Sequence, residues 1–212
     1  DTMSGDELDD DLAYVRAMGL IARNKPVRVA NPIYREVIVR VLASAAEESV
    51  IADPTSFVLP DGRLAFTRLL HAFAAFWQEH GLALQTAMPY PEAAPQLVLM
   101  AFMQRIVNGG GHIDREYGVG QGRVDLLLRW PYCGNDGSRQ VQRRALEIKV
   151  WRAGRVDPKK QGLEQLDGYL KQLRLTRGVL VIFDRRNPRR VAPPRFEDTT
   201  TPSGRAVRLL RA

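Results

Sequence analysis

Arg123-Val-Asp125-Leu-Leu-Leu128 and Ala145-Leu-Glu147-Ile-Lys149-Val-Trp151 are the stretches on which the fold turns. Each holds a short run of leucine and β-branched residues, Val124 to Leu128 and Leu146 to Val150, and the Gly134 to Gly137 region between them has turn composition. The pattern predicts two nearly buried strands joined by a hairpin-like loop. Side chains at i and i+2 share a face of a strand, so Glu147 and Lys149 point one way. Leu146, Ile148 and Val150 point the other way and can pack under a helix. If the strands are neighbours, Asp125 reaches the side of Glu147. Charges inside an apolar strand are costly to bury unless they are paired or bound to metal. Two readings follow from that cost. One is an ion pair of Lys149 with Glu147 or Asp125 that keeps the charges satisfied and does no chemistry. The other is a site where two carboxylates hold Mg²⁺ and the lysine positions or activates a water.

Outward from these strands, Asp157-Pro158 predicts a helix start, with the proline near the first turn. Leu163, Leu166, Leu170 and Leu173 then form one helical stripe that can cover a sheet, with Gln165 and Tyr169 one turn apart on another stripe. Thr176-Arg-Gly178 ends that helix. Gly178-Val-Leu-Val-Ile-Phe183 is a continuous apolar run expected of a central strand buried on both faces. Upstream, Gln96 to Val107 is a strongly apolar helix ending in Asn108-Gly-Gly-Gly111. The predicted order is helix, three strands, helix, strand.

That order and these residues resemble the PD-(D/E)xK nuclease superfamily. Within it, Arg105-Ile-Val-Asn-Gly-Gly-Gly-His-Ile-Asp-Arg-Glu116-Tyr117, Gly120-Gln-Gly-Arg123-Val-Asp125-Leu126 and Gly162-Leu-Glu-Gln165-Leu-Asp-Gly-Tyr169 resemble the C-terminal nuclease-like domain of bacterial and archaeal AAA-type ATPases, over residues 85 to 185. The resemblance implies an α/β, restriction-endonuclease-like fold: a mixed central sheet flanked by helices, with an αβββαβ core. It makes Asp125 and Glu147 ligands of Mg²⁺ or Mn²⁺, Lys149 the catalytic lysine and Gln165 the helix residue that approaches the site. Tyr169 supports that helix face. Glu116, on the first strand, is the candidate further ligand, with Glu92 near the start of the first helix as the alternative. Val124 stands where the name-giving proline would be. Arg123, Arg152, Lys159, Lys160 and Tyr169 are the expected nucleic-acid contacts. The implied activity is metal-dependent hydrolysis of phosphodiester bonds, with DNA the favoured substrate. The alternative is a catalytically inactive module of the same fold that binds nucleic acid or a protein partner.

The amino-terminal part reads differently. Asp6 to Met18 forms a short amphipathic helix ending at Gly19, Pro26 to Ala30 a short extended piece, and Asn31-Pro32 opens a helix through Leu42. This resembles the end of a small, mostly helical winged-helix subdomain, which in the same ATPases sits between the ATPase core and the nuclease. Winged helices often bind DNA, but residues 1 to 11 hold six acidic residues and no Lys or Arg, which favours a docking role. The expected organisation is a winged-helix-like part at 1–46, a linker and packing helix at 47–84, and the nuclease-like domain at 85–212. The packing helix, Arg63 to His80, is crowded with aromatics expected to be core. An upstream ATPase module of the same polypeptide is the expected partner.

The 212 residues carry 31 basic and 24 acidic side chains, a net charge of +7. Between Arg139 and Arg190 there are 15 Lys or Arg against 5 Asp or Glu, so the rest of the chain is net negative. A basic face can hold a polyanion and release its counterions, and it can equally be a solvated surface. The single Cys133 excludes intrachain disulfides and cysteine-rich zinc sites and fits a reducing, cytoplasmic compartment. His71, His80 and His112 show no zinc-helix or Ser-His-Asp spacing. Gly118-Val-Gly120-Gln-Gly122 leads into a strand and is no dinucleotide turn, and no phosphate-binding G-x-x-x-x-G-K-[ST] loop occurs. No segment predicts a membrane span, and nothing argues against a homo-oligomer.

Overall fold

A computed structural model of the chain describes residues 54–87, 94–107, 110–119, 122–134, 136–187 and 189–212. The expected winged-helix-like part and Glu92 lie outside the described residues. The described chain is a mixed α/β fold of one six-stranded sheet and three helices. Helix α1 spans Phe66–Ala87 and α2 spans Ala94–Val107. Strands β1 (His112–Val119), β2 (Gly122–Cys133) and β3 (Arg139–Arg152) follow, then helix α3 (Lys159–Gln172) and strand β4 (Arg177–Arg185). Two further strands, β5 (Arg195–Thr200) and β6 (Ala206–Arg211), complete the sheet. Helix, three strands, helix, strand is the order expected; β5 and β6 were not anticipated.

In space the strands run β1-β2-β3-β4-β6-β5. The first three form an antiparallel meander, β4 lies parallel to β3 after the α3 crossover, β6 lies parallel to β4, and β5 pairs antiparallel with β6 at the edge. A parallel neighbour requires such a crossover, and a helix is its usual form. The central position of β4 explains its apolar run: Gly178 to Phe183 are all buried.

Each face of the sheet is covered. On one, Leu126, Leu128, Leu146, Ile148, Val179, Val181 and Phe183 pack with α1 and α2, where Trp77 and Phe183 meet edge to face at 4.8 Å between ring centroids. On the other, Leu127, Ala145, Leu180, Ile182, Val207 and Leu209 pack beneath Leu166 and Leu170 of α3. The period-2 alternation of β3 thus sends Leu146 and Ile148 to the α1/α2 side and Ala145 to the α3 side, as the strand reading requires.

Three local differences from expectation have physical causes. Helix α1 continues past His80 through Gly81, which packs against Trp77 where an added Cβ would lie 2.9 Å from the indole ring, and buries Leu84 one turn on. Within the stretch expected as linker, Pro54–Phe57 forms a 3₁₀ turn, Phe57 is buried, and Val58 bridges to Leu64. Strands β2 and β3 outrun their apolar runs because a half-exposed hairpin arm continues the ladder to Cys133 and Arg139, beyond which the Gly137 amide donates to the Gly134 carbonyl.

Candidate functional site

The site is set by where β2 stops pairing with β3. Their ladder runs from Cys133–Arg139 to Leu126–Leu146, which places Asp125 and Glu147 at the next opposed position. There the amide of Ile148 donates to Asp125 Oδ2 at 2.7 Å, so a carboxylate takes the place of a ladder carbonyl. Glu147 is 3% exposed in the most buried stretch of β3, flanked across the parallel ladder by Leu180 of β4. Two residues on, and on the same face, Lys149 donates from Nζ to Glu147 Oε1 at 2.6 Å. The three charged groups therefore converge.

The pair leaves something unsatisfied. Among the described residues, Glu147 Oε2 is buried and accepts no hydrogen bond, and the same holds for Gln165 Oε1 on α3. A buried polar atom without a partner carries its full desolvation cost, on the order of 1–3 kcal/mol. Burial, reinforced by the Asp125 charge, pushes the Glu147 carboxyl up to about 7 despite the opposing pull of Lys149. An ion pair alone accounts for Oε1 and leaves Oε2 unexplained.

Helix α3 reaches this site because of one glycine. Gly162 is buried against Leu180, and a Cβ built there would lie 2.6 Å from Leu180 Cδ1. The absent side chain lets the helix settle on the strand beside Glu147 and present Gln165 and Tyr169, three and seven residues on, toward the sheet. The Tyr169 hydroxyl accepts a hydrogen bond from the Arg123 amide. Its pKa is raised, first by burial and then by the Glu147 and Asp125 charges, which sets it within electrostatic reach of both acids. The helix itself starts with Asp157 Oδ1 accepting from the Lys159 amide at 2.9 Å.

The remaining expected residues spread out. Glu116 lies on β1 between Arg115, paired with Leu126, and Tyr117, paired with Val124, so its register position is opposite Asp125. Arg123 and Arg152 are exposed at the ends of β2 and β3, and Lys160 is exposed in the first turn of α3. Lys159 is engaged elsewhere, in an ion pair with Glu197 of β5 at 2.5 Å. Beyond Lys149, Trp151 carries the Arg186 guanidinium 3.7 Å above its ring, with Arg211 at 5.4 Å, and the two are ion-paired with Asp184 and Asp157, a grouping that separate residues in the sequence do not announce. Among the described residues no group of three or more His, Cys, Asp or Glu side chains gathers.

Two carboxylates at one opposed strand position, one with an orphaned buried oxygen, are a fitting donor set for a hard divalent cation, which takes oxygen ligands and keeps several waters. The orphaned Gln165 amide oxygen would accept from such a water. Fold and geometry together define a mixed α/β protein with an Asp-Glu-Lys centre beneath a crossover helix. Comparison with protein-family models, curated proteins and solved structures returns no match. Among the described residues no helix is long and apolar enough to cross a membrane.

Proposed function

We propose that this chain is a metal-dependent phosphodiesterase, a nuclease of the restriction-endonuclease-like PD-(D/E)xK type acting on DNA. The observation that carries the reading is the buried, unpartnered Oε2 of Glu147 opposite Asp125. Asp125 and Glu147, with Glu116 at the neighbouring register position, would hold Mg²⁺ or Mn²⁺. When bound, such an ion lowers the pKa of a coordinated water and polarises a phosphoryl oxygen. Lys149, held beside Glu147, supplies positive charge where the transition state gathers negative charge. Gln165 Oε1 accepts a hydrogen bond from the attacking water and fixes its orientation. Tyr169 buttresses the helix turn that carries Gln165, tied to β2 through the Arg123 amide. The exposed Arg123, Arg152 and Lys160 receive the phosphate backbone, which is where non-specific affinity for nucleic acid arises.

A second reading has its own observation. The Lys149–Glu147 contact at 2.6 Å is short enough to serve as a structural ion pair in a non-catalytic module that docks nucleic acid or a protein partner. Cleavage separates the two. The purified chain, incubated with Mg²⁺ or Mn²⁺ and linear, circular or branched DNA or RNA, is expected to cut DNA, and Glu147→Ala is expected to lower the rate by at least about 10³-fold. Absence of cutting on every substrate with both metals, or full activity in the variant, would refute the nuclease. Calorimetry that finds no Mn²⁺ site dependent on Asp125 and Glu147 would favour the binding module.

A further inference from the structure

On the other side of the sheet, and toward the opposite end of β4, lies a cavity of about 630 Å³ that the Asp-Glu-Lys centre does not use. Its lining brings together Arg63, Arg68, Arg144, Arg177 and Arg208, from α1, the segment before it, β3, β4 and β6, with Asp198 as the only acid. The strand alternation fixes the face: Arg144 and Arg177 belong with Leu146 and Val179, which pack under α1, and not with Glu147 and Leu180. No stretch of sequence signals this cluster, because its members are spread from position 63 to position 208.

Several of these cations are neutralised or anchored. Arg63 pairs with Asp61 at 2.5 Å, Arg208 with Asp198 at 3.1 Å, and Arg68 donates to the Ser56 carbonyl. Two are not neutralised. Among the described residues, the Arg144 side chain donates only to the neighbouring Arg143 carbonyl at 2.9 Å, and the Arg177 side chain makes no hydrogen bond or ion pair. Arg144 is half-buried, and its pKa is lowered first by burial, then by the charges of Arg177 and Arg63. Holding a partly desolvated guanidinium beside the uncompensated charge of Arg177 costs free energy that a bound anion would recover. The remaining wall is apolar, with Leu64, Phe66, Leu70 and Val179 among its residues, and the volume falls within the ~300–1,000 Å³ of small-ligand sites. Guanidinium groups match phosphate oxygens two by two, whereas the apolar wall suits the flat face of a base.

We propose that this cavity binds a phosphorylated ligand of nucleotide size, with its phosphate on Arg144 and Arg177 and its apolar body against the α1 wall. The phosphate comes either from a free nucleotide or from the 5′ end of a nucleic-acid strand. The site works independently of the carboxylate centre, so the proposal does not rest on the nuclease reading.

The full chain is titrated calorimetrically in EDTA, which keeps divalent metal away from Asp125 and Glu147. The probes are ATP, adenosine, inorganic phosphate, and a short oligonucleotide with a 5′-phosphate or a 5′-hydroxyl. Binding of ATP or of the 5′-phosphorylated strand is expected, at least about tenfold tighter than adenosine or the 5′-hydroxyl strand, and whichever of the two binds tighter identifies the source. Arg144→Met and Arg177→Met should each weaken that binding by about tenfold or more while thermal unfolding and Mn²⁺ binding stay as in the parent chain. No binding of either phosphorylated probe up to ~1 mM, or binding that both variants retain, overturns the proposal. So does affinity indifferent to the 5′-phosphate and abolished by moderate salt, because that is the behaviour of a diffuse basic surface.

Discussion

Glu147 and Asp167 are carboxylates on either side of the same helix–sheet contact, and their surroundings are opposite. Asp167, on α3, accepts from the hydroxyls of Thr201 and Ser203 and from Arg205 Nη1 at 3.2 Å, so it ties the β5–β6 turn to the helix. Those hydrogen bonds hold its carboxyl below the usual carboxylate range, the Ser203 and Thr201 hydroxyls acting first. Glu147 has one lysine contact, one orphaned oxygen and a carboxyl pushed up to about 7. One carboxylate thus gathers three donors on Oδ1, and the other is held ready with an orphaned oxygen. A well-bonded acid locks structure. An under-paired one in a packed interior stores a cost that a ligand can relieve, and such groups cluster where proteins bind and react.

The largest way to break the comparison is to remove the stored cost. The folded-state pKa of Glu147 lies above the 4.5 of an unperturbed glutamate, so the native protein keeps a proton that the unfolded chain has released. Metal-free stability should therefore fall as pH rises from about 4.5 to about 7 and level off above, a loss of about 3 kcal/mol. Glu147→Gln should flatten that slope, read by urea unfolding at pH 4.5 and pH 8 in EDTA. If the variant keeps the parent's pH dependence, Glu147 is not the strained group.

A smaller effect tests the spacing that brings α3 to the site. Gly162→Ala forces a methyl group into Leu180 and should cost about 1–3 kcal/mol. Displacement of Gln165 should also slow cleavage by more than the loss of folded protein explains, measured as kcat at saturating substrate and below the unfolding transition. Unchanged kcat would mean that the helix position does not matter to the chemistry.

The smallest effect belongs to the lock. Asp167→Asn should cost about 1–2 kcal/mol at pH 7, because Arg205 loses its counter-charge and the two hydroxyls a charged acceptor. The folded pKa of Asp167 is depressed below 3.8, so its contribution is present above that value and is lost as pH falls through the depressed one. The parent and Asp167→Asn should therefore converge in acid, and cleavage at pH 7 should be untouched. A variant that loses activity while staying folded would erase the distinction between the two acids.

Much of the Glu147 side of this contrast is legible in the sequence. A period of two in an apolar run fixes the face of Glu147 and Lys149, and the Gly178–Phe183 run is of the kind expected for a strand covered on both sides, which β4 is. The Asp167 side is not legible, because Thr201, Ser203 and Arg205 lie 34 to 38 residues away in sequence. Strand β5 is hard to see in the sequence for a related reason. Arg195-Phe-Glu-Asp-Thr-Thr200 exposes most of its side chains at a sheet edge and has one aromatic to mark it. Lys159, which local charge assigns to nucleic acid, is captured by Glu197 of that same edge strand. Gln165 was placed by helical period, but its unpaired oxygen is a property of packing that no spacing reveals.

The strand order also has a kinetic side. Four elements of the acidic centre, β2, β3, α3 and β4, lie within residues 122 to 185 and are linked by one hairpin and one crossover, so they can assemble from contacts close along the chain, and β1, which carries Glu116, pairs with β2. Until β6 emerges, however, β4 offers a bare edge along its most apolar stretch, open to any other extended chain. By pairing with β4, β6 covers that edge, while its Val207 and Leu209 join the core beneath α3.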